Sequence, residues 1–258
     1  MTIYELKEKK VNINGIDVFY KIAGEGKRLL ILHGWGAGSF SWMRIIIEAL
    51  APNGFQLIIP DLPGFGKTSP PENAWDVGDY SNFVDKFIEE VGIKDASVLG
   101  HSFGGAIIMK MRNIHGKIIF CDAAIIRKER LSIRQRISRF LSTVGGKIIS
   151  KNSFAYKFFE KAAYFISGTY DYYSANPIMK DVFKKVVEED LSSLASEIKN
   201  PCLIIWGEKD KVTPIEDAYF LNTKIVNSEL KIIKGCGHNP HKTNFEELSE
   251  IIINYLNK

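Results

Sequence analysis

The stretch Leu99-Gly100-His101-Ser102-Phe103-Gly104-Gly105 decides the fold. It sets a Gly-x-Ser-x-Gly pattern between a short apolar run, Ala96-Ser97-Val98-Leu99, and an apolar helical stretch, Ala106-Ile107-Ile108-Met109-Lys110-Met111. A serine on a sharp strand-to-helix turn needs a residue without a β-carbon two positions before it and two after. The backbone packs too closely there for side chains. Gly100 and Gly104 meet that demand, so Ser102 is the expected nucleophile, backed by the positive end of a helix.

A serine hydroxyl is a poor nucleophile until a histidine takes its proton, and that histidine needs a carboxylate to hold its tautomer. Downstream, the apolar strand Pro201-Cys202-Leu203-Ile204-Ile205-Trp206-Gly207 leads into Glu208-Lys209-Asp210. Loops at the carboxyl ends of strands in an α/β sheet collect functional side chains, which makes Asp210 the expected acid and Glu208 the second candidate. The plainer reading of Asp210 is a solvated loop residue or a cap for a helix beginning near Pro214.

The alternating segment Glu229-Leu230-Lys231-Ile232-Ile233 reads as an edge strand, and Lys234-Gly235-Cys236-Gly237-His238-Asn239-Pro240 follows as a glycine-rich loop. His238 is the expected base, giving the chain order Ser102, Asp210, His238 that belongs to this kind of elbow. The other histidines have plainer readings. His115 sits at a helix end on the surface, His101 packs away from the nucleophile, and His241 faces solvent close enough to be an alternative base. His33 belongs to a further motif.

Leu29-Leu30-Ile31-Leu32 is a continuous apolar run, as expected for a parallel strand buried on both faces. It ends in His33-Gly34-Trp35-Gly36-Ala37-Gly38. Acyl transfer through a tetrahedral intermediate needs backbone N–H donors aimed at the oxyanion, and losing one costs about 3 kcal/mol of barrier. The Trp35 N–H and the Phe103 N–H are the expected donors, and the same two residues flank the expected substrate pocket.

Together, Gly100 to Gly105, His33-Gly34-Trp35-Gly36, Asp61-Leu62-Pro63-Gly64-Phe65-Gly66, Asp210 and Gly237-His238 resemble the α/β-hydrolase superfamily, nearest its capped, esterase-like branch. The resemblance covers nearly the whole chain. It implies a central, mostly parallel sheet flanked by helices, an inserted helical cap, a Ser-Asp-His triad, and neither a metal nor an organic cofactor. It also implies that Asp61 is a structural turn residue. Serine at the elbow argues against the dehalogenase and epoxide-hydrolase branches, which use aspartate there. Asn239 stands where carbon-carbon bond hydrolases usually carry tryptophan, and Phe103 stands where cofactor-free haloperoxidases often carry methionine or threonine.

Length and composition agree with one large α/β domain: 258 residues, 45% hydrophobic and 25% charged. Strand and helix patterns alternate from Gln56 to Asp122, stop, and resume at Pro201, so residues 1–123 and 197–258 read as the core and 124–196 as the helical cap. No run approaches the ~20 apolar residues that span a bilayer, and residues 1–10 lack the apolar stretch of a signal peptide, which points to a cytoplasmic protein. Cys121, Cys202 and Cys236 have no metal-ligand spacing and read as thiols.

The net charge of +4 is too small to require nucleic acid or a membrane. Gly64-Phe65-Gly66-Lys67-Thr68 resembles the end of a phosphate-binding loop, but Asp61 occupies the position of that motif's first glycine. Basic residues crowd the segment from Arg127 to Arg139, with Ile133, Ile137, Phe140, Leu141 and Val144 at helical spacing. This is an amphipathic helix whose basic face is solvated or docks an acidic partner. Nine cap aromatics from Phe154 to Tyr173 supply the cap's core and part of a pocket wall.

The expected activity is hydrolysis of small to medium apolar acyl esters, falling as pH drops through the ordinary histidine range of about 6 to 7. A carbon-carbon bond hydrolase, an acyl-carrier-protein methyl esterase and a ligand receptor with negligible turnover are the competing readings.

Overall fold

The structure, a computed structural model, describes residues 5–127 and 177–258. Eight strands form one sheet: β1 (Lys7–Ile13), β2 (Ile16–Ala23), β3 (Lys27–Leu32), β4 (Phe55–Pro60), β5 (Ser97–His101), β6 (Ile118–Cys121), β7 (Cys202–Gly207) and β8 (Ser228–Ile233). Their spatial order is β1-β2-β4-β3-β5-β6-β7-β8. The first two strands are antiparallel, β2 meets β4 antiparallel, and every later pair is parallel.

Local chemistry explains the change of direction. Asn14 and Gly15 join β1 to β2 with φ of 51° and 88°, the two left-handed residues that a two-residue hairpin turn requires. From β3 to β7 the strands are covered on both faces, and their central residues Leu29 to Leu32, Val98 to Gly100, Ile118 to Cys121 and Cys202 to Gly207 are all buried, whereas the edge strand β8 fully buries only Ile233. Each buried Leu or Ile there stabilises the fold by roughly 1.5–3 kcal/mol relative to exposure.

Helices lie on both faces. On one, α1 (Val77–Val91), α2 (Phe103–Lys110) and α4 (Ile215–Lys224) bury Tyr80, Phe83, Phe87, Ile107, Ala218 and Leu221 against the sheet. On the other, helical turns within residues 39–53 and α5 (Phe245–Leu256) bury Trp42, Ile45, Leu248 and Ile252. A reciprocal box between Asp76 and Asp79 starts α1, and Gly92, at φ 72°, stops it.

Between β6 and β7 the described residues include the helix α3 (Pro177–Glu188) and a helical turn, Ser192–Glu197, with no strand among them. Most of the expected cap, including the basic segment beyond Arg127 and the aromatics Phe154 to Tyr173, lies outside the described residues. No helix among the described residues is long and apolar enough to cross a membrane.

Candidate active site

Five strand ends build the site. Between β5 and α2, Ser102 takes φ 50° and ψ −112°, a strained conformation that turns its hydroxyl out of the sheet. The flanking glycines are sterically required. A β-carbon on Gly100 would stand 2.5 Å from the Gly104 carbonyl oxygen, and one on Gly104 would stand 2.1 Å from that of Leu32. On Gly105 it would meet the Ala123 β-carbon at 2.3 Å. The elbow is therefore wedged between the ends of β3 and β6.

Asp210 follows β7 and His238 follows β8. The His238 Nε2 lies 2.9 Å from the Ser102 Oγ, and its Nδ1 lies 2.7 Å from the Asp210 Oδ2. Asp210 is held from several sides. Its Oδ1 accepts the Val212 and Thr213 N–H groups at 2.7 and 3.0 Å, and its Oδ2 accepts the Thr213 hydroxyl at 2.6 Å. Burial alone would raise the Asp210 carboxyl, but the His238 hydrogen bond and charge and the Thr213 hydroxyl outweigh it and leave the acid below its usual range. Glu208, the second candidate, turns away and accepts the Gly235 N–H at 2.8 Å, bracing the loop that carries His238.

The loop after β3 lies against Ser102, since a β-carbon on Gly34 would stand 3.3 Å from that of Ser102. The Trp35 ring packs at 5.5 Å from Phe103 and 4.9 Å from Phe65, and Phe183 of α3 closes on it at 5.0 Å. Phe103 opens α2, so its N–H has no partner within the helix. His33 is fully buried, accepting the Leu62 N–H at 3.1 Å on Nε2 while Nδ1 faces the Gly34 carbonyl at 2.8 Å. Asp61 accepts the Ser39 and Lys67 N–H groups at 2.7 and 3.0 Å, so both residues are turn braces.

Two features depart from the sequence reading. His241 does not face solvent. It is buried, its ring stacked 4.5 Å from Trp42 at an interplanar angle of 12°, and burial pushes it down to about 3. His101 lies between them and His238, with its Nε2 2.7 Å from the His238 carbonyl oxygen, and burial keeps it neutral. The second feature is Asp122, at the end of β6, which the sequence reading passes over. It is fully buried, its Oδ1 accepts the Gly207 N–H at 2.8 Å, and burial pushes its carboxyl up to about 8. Its signal is positional, since it closes an apolar strand on the sheet edge where Ser102, Asp210 and His238 follow theirs.

Asp122, Asp210 and His238 turn polar atoms into one space, all within 4.8 Å of one another. Their lone pairs are committed to hydrogen bonds within the group and to Gly207, Val212 and Thr213, which leaves none of the three as a free ligand. Chemically, the arrangement can draw a proton from Ser102 onto His238 and hold the resulting imidazolium against Asp210.

Known proteins share this architecture. A 2-hydroxy-6-oxononadienedioate/2-hydroxy-6-oxononatrienedioate hydrolase from a Pseudomonas species is 23% identical over 95% of this chain and 93% of its own. Among solved structures, a thermophilic esterase from Thermogutta terrifontis superposes with a TM-score of 0.73 at 21% identity, covering 97% of this chain and 98% of its own. A bromoperoxidase from Bacillus anthracis does so with a TM-score of 0.75 at 21% identity, covering 98% and 100%. At such identities the likeness is one of fold. The model of the alpha/beta hydrolase family matches residues 29–251, from the strand before the Trp35 loop, through the elbow, into the helix after His238; the chain belongs to that family.

Proposed function

We propose that the chain is a serine carboxylic-ester hydrolase acting on small to medium apolar acyl esters. The observation that carries this reading is the unbroken hydrogen-bonded chain from the Ser102 Oγ through the two His238 nitrogens to Asp210, at 2.9 and 2.7 Å. Ser102 Oγ attacks the ester carbonyl as His238 Nε2 takes its proton. The oxyanion accepts the N–H groups of Trp35 and Phe103. His238 then protonates the departing alcohol, and the acyl group stays on Ser102. Water repeats the sequence in reverse, its proton passing through His238, and releases the acid.

The rings of Trp35, Phe65 and Phe103 supply an apolar wall beside the reacting carbon, which favours alkyl acyl groups over charged ones. We also propose that residues 124–196 form a cap over Ser102, supported by Phe183 of α3 packing on Trp35 beside the elbow. The decisive experiment is hydrolysis of p-nitrophenyl esters from acetate to decanoate by wild type and Ser102→Ala. Turnover should vanish in the variant and peak at a short or medium chain.

The Pseudomonas relative named as a 2-hydroxy-6-oxononadienedioate hydrolase keeps carbon-carbon bond hydrolysis as a second reading. Cleavage of a vinylogous diketone together with inert simple esters would favour it. Stoichiometric acylation without turnover would favour a receptor, and turnover restricted to carrier-bound esters would favour a carrier-protein esterase.

A further inference from the structure

Among the described residues, three other than glycine have positive φ, and two of them, Ser102 and Asp122, stand at the ends of the adjacent strands β5 and β6. Asp122 takes φ 46°, a conformation that aspartate tolerates better than most residues. That turn carries its side chain into the interior beside Asp210. The Oδ1 accepts the Gly207 N–H at 2.8 Å, fixing Asp122 to the end of β7 three residues before Asp210. Polar atoms of Asp122, Asp210 and His238 lie within 4.8 Å of one another, and the Cys121 Sγ lies 3.6 Å from the Asp122 Oδ2.

We propose that Asp122 is a positioning residue for the Ser102–His238–Asp210 chain: it donates its carboxyl proton to the Asp210 carboxylate and so fixes that acid against the His238 ring. The inference rests on the hydrolase reading above.

Two carboxylates this close cannot both ionise cheaply, so one of them keeps a proton. The surroundings decide which. Asp210 collects the Val212 and Thr213 N–H groups, the Thr213 hydroxyl and the His238 Nδ1–H, whereas Asp122 receives only the Gly207 N–H and a weak thiol donor. The negative charge therefore stays on Asp210 and the proton on Asp122, which burial retains up to about pH 8. The titratable groups facing Asp122 are Cys121 on its own strand, Asp210 after β7, and Cys236 and His238 after β8. Burial raises both thiols, so they stay neutral at pH 7 and the proton's place is set between the two carboxyls. Once Asp122 ionises, the hydrogen bond becomes a repulsion and Asp210 loses its brace.

The test is the pH profile of kcat/KM on p-nitrophenyl acetate for wild type, Asp122→Asn and Asp122→Leu. The wild-type profile should fall on the alkaline side near pH 8, where Asp122 loses its proton. Asparagine keeps both a donor for Asp210 and an acceptor for Gly207 but cannot ionise. That variant should match wild type at pH 7 within about threefold and lose the alkaline fall. Leucine removes a hydrogen bond to a charged group, and kcat should drop roughly ten- to hundredfold at pH 7 with KM little changed.

An alkaline limb that persists in Asp122→Asn, or equal activity in the leucine and asparagine variants, overturns the proposal. Should the variants fail to fold, the downfield proton resonance of the His238 Nδ1–H in wild type decides. A shift of that resonance near pH 8 supports the role of Asp122, and a constant position from pH 6 to 9.5 overturns it. Because the resonance needs no turnover, an inert wild type would sink the hydrolase reading while the role of Asp122 was still decided.

Discussion

The two sides of the His238 ring are built on opposite plans. Toward Asp210 the surroundings are saturated with hydrogen bonds, and Asp122, Thr213, Val212 and Gly207 all contribute. Toward the other side stand His101, His241 and Trp42, packed rings in which Trp42 Nε1 and His241 Nδ1 have no hydrogen-bond partner among the described residues. One side stores a negative charge and needs donors. The other excludes charge and needs packing. In the proposed reaction His238 becomes an imidazolium only in passing, and both sides serve it: attraction from the Asp210 side stabilises the cation while a packed, neutral wall holds the ring still.

The largest expected effect breaks the acid side. Asp210→Asn should lower kcat on p-nitrophenyl esters by about 10³–10⁴-fold, since it disturbs the His238 tautomer as well as the charge. Steady-state kinetics with circular dichroism as the folding control checks this. A loss below tenfold would assign the acid's role elsewhere, with Asp122 the first place to look.

On the packed side, His101→Ala removes the partner of the His238 carbonyl and leaves a void. It should cost about 2–4 kcal/mol in denaturant unfolding, together with about tenfold in kcat as the His238 loop shifts. Restoring a donor with His101→Gln should recover part of the activity. Unchanged kinetics in the alanine variant would show that the loop needs no such anchor.

The third prediction sharpens the contrast through protons bound on folding. Asp122 loses its proton near 3.8 when unfolded and only near about 8 when folded, so across that window the native state binds more protons and wild-type stability falls as pH rises. Asp122→Asn lacks this slope. Its stability relative to wild type should increase by about 1 kcal/mol per pH unit between pH 5 and 7, read from urea midpoints. Parallel stability curves would contradict a proton held at Asp122.

His241 has the opposite sign. Its folded value of about 3 lies below its ordinary 6.5, so the unfolded chain binds more protons between those values and stability is lost as pH falls. His241→Phe keeps the stack on Trp42 and removes that liability. Melting temperatures should differ by a few degrees at most at pH 7 and diverge in the variant's favour at pH 4.5.

What could be read from residues alone follows how local the cause is. The elbow was legible because its constraint is backbone crowding within five residues, and Gly100 and Gly104 announce it. Asp210 and His238 were legible because each follows an apolar strand at a glycine-bearing loop. The β1–β2 hairpin lies outside the alternation read from Gln56 onward, although Asn14-Gly15 between alternating runs is a local hairpin signal. His241 was misread because its burial comes from Trp42, about 200 residues away in the chain. Asp122 escaped because a lone aspartate after a strand looks like any turn residue until β7 is placed beside β6.

The wedged elbow ties the backbone of Ser102 to the order in which the sheet assembles. Gly104 seats on the Leu32 carbonyl and Gly105 on Ala123, so the backbone of Ser102 takes its working shape only when β3, β5 and β6 are already side by side. Pairing Leu29 with Ser97 closes a long loop, a slow step for a parallel sheet. Recovery of the Ser102 elbow after dilution from denaturant should therefore follow the last long-range step of assembly rather than the early appearance of helix. A covalent serine probe would then act as a clock for completion of the central sheet.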